Sequence, residues 1–274
     1  MPTRPWAWRQ TWNDLLLLHW PVPSAALRPL IPPALNLHRF DATAWVGLSA
    51  FWIHGQQFRS LPWIRRAEYP AVSVHTFVIR NGKPGIFFLT LGGGDRMDIW
   101  LARRLLRLPF SPIRITVDRN VARVHHRSQR SDGAGFEAHY SPIGEVVSPV
   151  PGTLAHWLTE RYAIYSAGSR ERLFCSEVHH MRWPIQPATV SVRRNQLLPA
   201  GVHGSPACVF YTPRVELVGW APTVMPAVPD LDGARFNPPP MGAKRSVPEP
   251  PPPAPVLPAG LPAPAVSAAS SPTL

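Results

Sequence analysis

The chain has 274 residues, of which 36 are proline, and a formal net charge of +12 although only 16% of its residues are charged. The two cysteines, Cys175 and Cys208, lack metal or redox spacing and fit small core residues in a reducing cytoplasm better than a disulfide. The apolar run LLLLHW is too short for a signal sequence, and no later segment approaches a membrane span.

The C-terminal part differs sharply in composition from the rest. Residues 226–274 are proline-rich, contain Phe236 as their single aromatic residue and show no apolar periodicity. Such a segment buries too little apolar surface to offset its ordering entropy. We therefore predict a globular domain over 1–225 and a disordered tail over 226–274, with local polyproline II structure.

The charge excess belongs to the globular part, because the charges of the tail cancel. This excess favours acidic small molecules, nucleic acid or an anionic membrane as partners. A solvated basic surface without a partner, with arginine written in place of lysine by a GC-rich genome, is the favoured explanation. No recognised nucleic-acid-binding motif accompanies the charge, so nucleic acid is not expected as a partner.

The pattern of the globular part favours short strands with a few short helices. In chain order we predict a helical turn capped by Ser24 (24–30), strands (43–51, 71–80 and 85–91), a helix (95–108), strands (113–118, 121–129 and 136–142), a helix that begins at Thr153 (153–162) and strands (173–180, 188–194 and 207–220). Together these elements predict a mainly β fold, an antiparallel barrel or sandwich whose openings are covered by helices.

The strand over 71–80 carries the clearest alternation. Ser73, His75 and Phe77 face one side and the intervening valines the other. The Asn-Gly dipeptide that follows predicts a tight hairpin, and three glycines, 92–94, end the next strand.

The helix over 95–108 is amphipathic. Met97, Leu101, Leu105 and Leu108 form its apolar face, and the opposite face carries Arg96, Arg103 and Arg107 with Trp100 among them. The basic face is typical of a solvated helix. The alternative is a surface that binds polyanions or an anionic membrane.

Several segments resemble, in order, the motifs of bacterial YqjF-type proteins, a domain family of unknown function. The segments are RQTWNDLLLLHWPVP, LRPLIP, PAVSVHTFV, GKPGIFFLTL, ARRLLRLPF, LTERY and HHMRWPI. The resemblance covers nearly the whole globular part and none of the tail. It implies the acetoacetate-decarboxylase-like fold, a closed, cone-shaped antiparallel β-barrel around a small-molecule pocket, and no cofactor is expected.

Two segments depart from the family pattern. Where the family has Glu, Asn, Arg and Tyr at alternate positions, this chain has Ala71, Ser73, His75 and Phe77. The next strand ends in TLGG instead of the S-L-D-A of the family. Because residues two apart share one strand face, the resemblance implies a pocket that is less polar than in relatives, with a different ligand or no activity.

Acetoacetate decarboxylase acts through a desolvated lysine that forms an imine with a keto acid. This chain has two lysines, Lys83 beside the predicted hairpin turn and Lys244 in the predicted tail. Neither position is expected inside a barrel. The sequence therefore excludes lysine-imine decarboxylation, whatever the fold analogy implies.

The histidines predict no metal site. His125 and His126 are adjacent on one predicted strand and His179 and His180 on another, so the two side chains of each pair point to opposite faces. No nucleophile motif occurs either, and no catalytic residue is assigned.

Six residues are predicted to bind a ligand: His19, Ser73, His75, Phe77, Arg161 and Tyr162. They lie in segments that match the family or on the altered strand face. The leading interpretation is a cytoplasmic protein that binds a small organic acid or a neutral molecule. The alternatives are the polyanion- or membrane-surface-binding protein and a lysine-independent lyase or hydrolase that uses His19 or His75 as its acid or base.

Overall fold

The computed structural model describes residues 2–64, 68–94, 96–120, 123–168 and 172–226. Contacts divide the chain into two units, Met1–Met241 and Gly242–Leu274, and every described residue belongs to the first. The predicted tail lies outside the described residues except for Pro226, so the domain boundary stays a prediction.

The described part is mainly β, which confirms the predicted class. Its elements are β1 (Trp8–Val22), α1 (Ser24–Leu27) with a 3-10 turn (Arg28–Leu30), β2 (Asn36–Leu37), β3 (Ala44–Phe58), β4 (Tyr69–Arg80), β5 (Lys83–Gly93), α2 (Arg96–Leu105), β6 (Phe110–Ser111), β7 (Ile113–Arg119), β8 (Val124–Arg130), β9 (Gly135–Pro142), α3 (Leu154–Thr159), β10 (Ala163–Ala167), β11 (Leu173–His180), β12 (Gln186–Asn195), β13 (Cys208–Gly219) and β14 (Thr223–Met225).

All of these strands belong to one sheet, in which seven strands follow one another in a ring. The hydrogen-bonded order is β14-β11-β10-β5-β4-β3-β1-β13-β12-β9-β8-β7. A further antiparallel pairing between β11 and β13 joins two strands that are distant along this order. The ring therefore contains β11, β10, β5, β4, β3, β1 and β13, and β12, β9, β8 and β7 extend from it as an antiparallel continuation.

The prediction of a wholly antiparallel arrangement is wrong at β5. This strand pairs in parallel with β10 on one side and with β6 at its C-terminal end. Parallel neighbours need a crossover connection, and α2 lies in the connection between β5 and β6. The hairpin signal at the start of β5 gave no indication of these distant parallel partners.

Strand β1 is the longest of the five strands that the sequence analysis missed; the others are β2, β6, β10 and β14. Leu15 and Leu17 belong to one core cluster, whereas Leu16 and Leu18 belong to another on the opposite face. A strand buried on both faces shows no polar-apolar alternation. The run LLLLHW is therefore the centre of a 15-residue strand and not merely an apolar segment.

Strand β4 has the two faces that its alternation predicts. Ala71 and Phe77 lie in core clusters on one face, and Val72 and Val74 pack in the cluster on the opposite face. The hairpin to β5 turns at Asn81 and Gly82, with φ of 49° and 73°. Consecutive positive φ angles fit the tight turn predicted for Asn-Gly.

Of the helix starts predicted at Thr153 and Ser24, the first agrees with the structure and the second does not. Thr153 caps α3 as predicted, since its hydroxyl oxygen accepts a hydrogen bond from the backbone N–H of His156 at 3.3 Å. Ser24 does not cap α1, because it is already the first helical residue and Pro23 precedes it without a side-chain bond. Helix α3 ends at Thr159, so Arg161 and Tyr162 follow it instead of belonging to it.

Helix α2 is shorter than predicted, and part of the predicted apolar face is not buried in the helix. It ends at Leu105, and Arg107 has φ of 56°, which a helix does not allow. Leu101 is buried as expected, but Met97 is 47% exposed. Leu108 lies beyond the end of the helix. Among the described residues, the longest helix has 10 residues, and none has the length and apolarity needed to cross a bilayer.

Candidate ligand-binding site

Three neighbouring strands bring two histidines together across a glycine. In the sheet, Gly47 of β3 lies directly between His19 of β1 and His75 of β4. A Cβ atom at Gly47 would come within 2.5 Å of His75 Nε2 and 3.1 Å of His19 Cδ2. Only glycine leaves room for both imidazoles here, and their ring centroids are 6.2 Å apart.

The ring of Phe77 contacts both imidazoles. Its centroid lies 5.5 Å from that of His75 and 6.0 Å from that of His19. Trp157 of α3 packs on Phe77 at 4.7 Å, and Trp45 of β3 belongs to the same buried cluster. Phe77 is completely buried, and it forms the centre of an aromatic cluster on one face of β4.

Arg161 enters this cluster just after α3 ends. Its guanidinium carbon lies 4.1 Å from the centroid of Trp157 and 5.1 Å from that of Phe77. The residue is 8% exposed, and within the described part of the chain no carboxylate forms an ion pair with it. Burial lowers the pKa of Arg161 to about 9, because the charged form is poorly solvated there.

The protonation of His38 follows from its contact with Arg161. Arg161 Nη1 lies 3.0 Å from His38 Nδ1, and a guanidinium can only donate. His38 therefore accepts at Nδ1 and is neutral, with its proton on Nε2. Burial, and secondarily the charge of Arg161, lowers the pKa of His38, which agrees with this assignment.

Several buried polar atoms of the cluster have no hydrogen-bond partner among the residues that the structure describes. They are Nδ1 of His19 and of His75, Nε1 of Trp45, and Nε and Nη2 of Arg161. Burial lowers the pKa of His75 to about 4, with Arg161 as the second cause. Burial, followed by the proximity of His75, lowers the pKa of His19 well below its usual value. At neutral pH the cluster thus contains neutral imidazoles around one unpaired cation.

Such atoms are costly for a folded protein. An unsatisfied buried donor or acceptor destabilises the fold by about 1–3 kcal/mol, and a charged one by more. Buried polar groups in proteins are therefore nearly always paired, and exceptions need an explanation. Several such atoms around one aromatic ring are the arrangement expected of a site whose ligand completes the hydrogen bonds.

The structure brings four of the six predicted residues to one cluster and places the other two differently. His19, His75, Phe77 and Arg161 meet as described. Ser73 is buried on the same strand face, two residues before His75 on β4, and lies opposite Ser49.

Tyr162 lies outside the cluster. It is 39% exposed, its hydroxyl donates to Glu160 and its ring stacks on that of His180 at 4.7 Å. Burial raises the pKa of Tyr162 to about 12, with the contact to Glu160 as the second cause. Neighbouring residues in an extended segment point to opposite sides, so only one of Arg161 and Tyr162 can face the interior.

The sequence analysis missed five residues of the cluster: His38, Trp45, Gly47, Trp157 and Cys208. An isolated glycine within a strand pattern marks the close approach of another group, and Gly47 in TAWVGLSAF carried this signal. Cys208 lies opposite His19 across the β1–β13 pairing and packs against the same cluster. Nothing in the local sequence connects Trp157 to β4.

Other chemically interesting residues lie apart from the cluster. Lys83 begins β5, is 43% exposed along its side chain and pairs with the carboxylate of Glu177. Lys244 lies outside the described residues. The members of the pairs His125–His126 and His179–His180 do face opposite sides of their strands, with the second of each buried. No group of three or more His, Cys, Asp and Glu suited to a metal occurs in the described ranges.

Two surface features complete the description. The predicted basic face of α2 is exposed, and Trp100 on it is 54% exposed. A shallow depression of about 380 Å³ lies where β1 ends and β3 begins. It is lined by Pro21, Val22, Pro23, Ser24, Ala42 and Thr43, which supply no titratable side chain. The polar cluster is therefore the better candidate site.

The fold is similar to that of acetoacetate-decarboxylase-like proteins. The acetoacetate decarboxylase of Legionella pneumophila matches with a TM-score of 0.58 and 10% identity, over 82% of this chain and 92% of that chain. An acetoacetate decarboxylase-like enzyme of Sphingomonas wittichii RW1 matches with a TM-score of 0.56 and 15% identity, over 82% and 95%. The enduracididine biosynthesis enzyme MppR, in a complex with pyruvate, matches with a TM-score of 0.53 and 13% identity, over 82% and 90%.

Sequence comparison defines the family more narrowly. Residues 9–216 match the DUF2071 family, described as an uncharacterized conserved protein. The uncharacterized protein YqjF of Bacillus subtilis is 32% identical over 228 residues, which cover 80% of this chain and 93% of YqjF. The chain belongs to this family, and the resemblance seen in its motifs is confirmed.

Proposed function

We propose that this protein binds a small monocarboxylic acid in the aromatic cluster around Phe77, with the acid's carboxylate on Arg161. One observation supports this most strongly: the buried guanidinium of Arg161 has two nitrogens, Nε and Nη2, without a partner. These two nitrogens form one edge of the guanidinium fork, which matches the two oxygens of a carboxylate. Binding an anion there compensates a charge that is otherwise costly to bury.

The neutral side chains of the cluster limit the ligand's charge. His19, His38 and His75 are uncharged at neutral pH, so Arg161 is the single cation among these polar groups. One positive charge favours a monoanion over a dianion. The imidazoles and the indole N–H of Trp45 supply hydrogen bonds to a carbonyl or hydroxyl oxygen, and the aromatic rings contact the apolar part of the ligand.

We further propose that the ring of seven strands forms the closed, cone-shaped barrel expected from the family and encloses this cluster. The pairing of β11 with β13 and the similar folds support the closure. Trp157 covers both Arg161 and Phe77, so the ligand enters when α3 or its tryptophan moves aside. The small, acidic ligand of the structurally similar MppR, pyruvate, agrees in size and charge with this proposal.

In this proposal the protein is not a lysine-imine decarboxylase. The ammonium of Lys83 is engaged with Glu177 at the rim of the sheet and not in the aromatic cluster. We also propose a cytoplasmic location, because Cys175 and Cys208 are free thiols, which a reducing compartment maintains.

Calorimetry with small monocarboxylic acids, pyruvate among them, and with the corresponding amides tests the proposal. The acids should bind more tightly than the amides. Arg161→Gln should weaken acid binding about 10- to 100-fold, as expected for loss of a charge-assisted hydrogen bond of about 1.5–3 kcal/mol. Arg161→Gln should also raise the thermal stability of the ligand-free protein, because it removes a buried unpaired charge.

Arg80→Gln is the matched control. Arg80 is 6% exposed, but its guanidinium already donates to the backbone carbonyls of Ala34 and Pro226. Its replacement should leave the preference for acids unchanged. Equal binding of acids and amides contradicts the proposal, as does acid binding that disappears between low and moderate salt, which indicates the exposed face of α2 instead.

A further inference from the structure

The two buried imidazoles lie beside the same aromatic ring. His19 and His75 both contact Phe77, their ring planes are inclined by 80° and each has an unpartnered, buried Nδ1 atom. A neutral imidazole carries one N–H donor and one lone pair. Two neutral imidazoles can therefore offer a lone pair to one atom of a ligand and an N–H to another.

The position of Arg161 orients such a ligand. The guanidinium, His75 and His19 lie 5.1, 5.5 and 6.0 Å from the ring centroid of Phe77. A molecule whose carboxylate binds Arg161 would therefore carry the next one or two carbons past Phe77 toward the imidazoles. Oxo acids, which have a carbonyl group one or two carbons from the carboxylate, fit this spacing of cation and imidazoles.

We propose, resting on the carboxylate site above, that His75 and His19 promote enolisation of a bound oxo acid. The lone pair of His75 Nδ1 takes a proton from the carbon next to the carbonyl group. The C–H electron pair becomes the new C=C bond, and the carbonyl π pair moves to the oxygen, which accepts a hydrogen bond from His19 Nδ1–H. Return of a proton from the His75 imidazolium restores the keto acid, so no oxidant, reductant or co-reactant is needed.

The same arrangement makes the base stronger when the ligand is present. Burial and, secondarily, the charge of Arg161 depress the pKa of His75. A bound carboxylate cancels the second of these effects, so that His75 becomes more basic in the complex. The other titratable groups at the cluster are His38, Arg161 and Cys208. His38 and Arg161 remain in contact through Nδ1 and Nη1, and burial raises the pKa of the Cys208 thiol, which therefore stays neutral.

Proton exchange of pyruvate in D₂O tests the proposal without a coupled reaction. Proton NMR follows the loss of the methyl signal as deuterium replaces hydrogen. The protein should accelerate this loss by about 100-fold or more over the buffer rate, the usual contribution of a positioned acid or base. His75→Asn keeps a polar group near the position of Nδ1 but cannot accept the proton, so exchange should fall to the buffer rate while calorimetric binding of pyruvate persists.

His126→Gln is the control for a buried histidine outside the site. His126 of β8 is 1% exposed, has a ring nitrogen without a partner among the described residues, and packs against Phe136 of β9. This variant should exchange pyruvate at the wild-type rate. If pyruvate binds but exchanges at the buffer rate, the proton transfer is refuted and the carboxylate site remains. If pyruvate does not bind while other small monocarboxylic acids do, only the oxo-acid proposal is refuted; if none of these acids binds, both proposals fail. A borohydride-reduced pyruvate adduct on Lys83 would show an imine route and also refute the proposal.

Discussion

Histidines buried in the neutral state make the protein sensitive to acid. The pKa values of His19, His38 and His75 are all lowered in the folded protein, chiefly by burial. In the unfolded chain these imidazoles regain their ordinary pKa and bind protons more readily. The folded state is therefore favoured above the unfolded pKa, and this stability is lost as the pH falls toward the lowered pKa values.

His75 allows a quantitative prediction. Its pKa falls from 6.5 to about 4, and one unit corresponds to about 1.4 kcal/mol. Between about pH 7 and pH 4.5 the free energy of unfolding should therefore fall by about 2 kcal/mol on account of this residue alone. Denaturant titrations of the wild type and His75→Asn at the two pH values measure the difference. An identical loss in both proteins would contradict the burial of a neutral His75.

Sequence analysis found the residues whose positions depend on local pattern. His75 and Phe77 share a face because strand side chains alternate, and the structure keeps them together. Arg161 and Tyr162 came from one motif, and the sequence could not decide which of them faces inward. Trp157 could not be found, because its contact with Phe77 depends on how α3 folds over strands that are distant in the sequence.

Among the elements, the contact between β1, β3 and β4 determines the geometry of the site. The row His19–Gly47–His75 depends on the register of two antiparallel pairings. A shift of one residue in either pairing would turn one imidazole to the opposite face of the sheet. Because Gly47 has no side chain, both imidazoles fit beside each other above β3.

Gly47→Ala tests this arrangement. The new Cβ would lie 2.5 Å from His75 Nε2, so the imidazole must move and both stability and acid binding should decrease. In the double variant Gly47→Ala/His75→Ala the collision with His75 is absent, and only the 3.1 Å approach to His19 Cδ2 remains. The two substitutions should therefore be coupled by about 0.5–3 kcal/mol in a double-mutant cycle of unfolding free energies. Effects that add within about 0.5 kcal/mol would show that the residues do not touch.

The elements themselves were predictable where their signals are local. The Asn-Gly hairpin between β4 and β5, the β7–β8–β9 meander and the Thr153 cap agree with the structure. Strand β1 was missed because burial of both faces removes the alternation, and the parallel partners of β5 are far away in sequence. The registers between the strands of the ring depend on such distant pairings, so local sequence signals do not predict them.

At the scale of the whole molecule, the positive net charge agrees with the anionic ligand that we propose. The chain has a net charge of +12, and the charges after residue 225 cancel, so the surface of the globular part attracts anions. A positive field raises the rate at which anionic ligands arrive but does not select among them. The choice among anionic ligands therefore depends on the buried cluster, where Arg161 is surrounded by neutral side chains.

The proline-rich tail should be dispensable for folding. It lies outside the described residues, and its composition gives it little apolar surface to bury. Deletion of residues 239–274 retains Pro226, whose carbonyl accepts from Arg80. The thermal midpoint should be unchanged within error, as measured by differential scanning calorimetry. A clear decrease would show that the tail packs on the domain.

A crystal structure of the protein with its tightest-binding small monocarboxylic acid tests the central claim most directly. The carboxylate oxygens should lie about 2.7–3.2 Å from Nε and Nη2 of Arg161, with the rest of the acid against Phe77. Density for the acid on the exposed face of α2, with the guanidinium of Arg161 still unpaired, would contradict it.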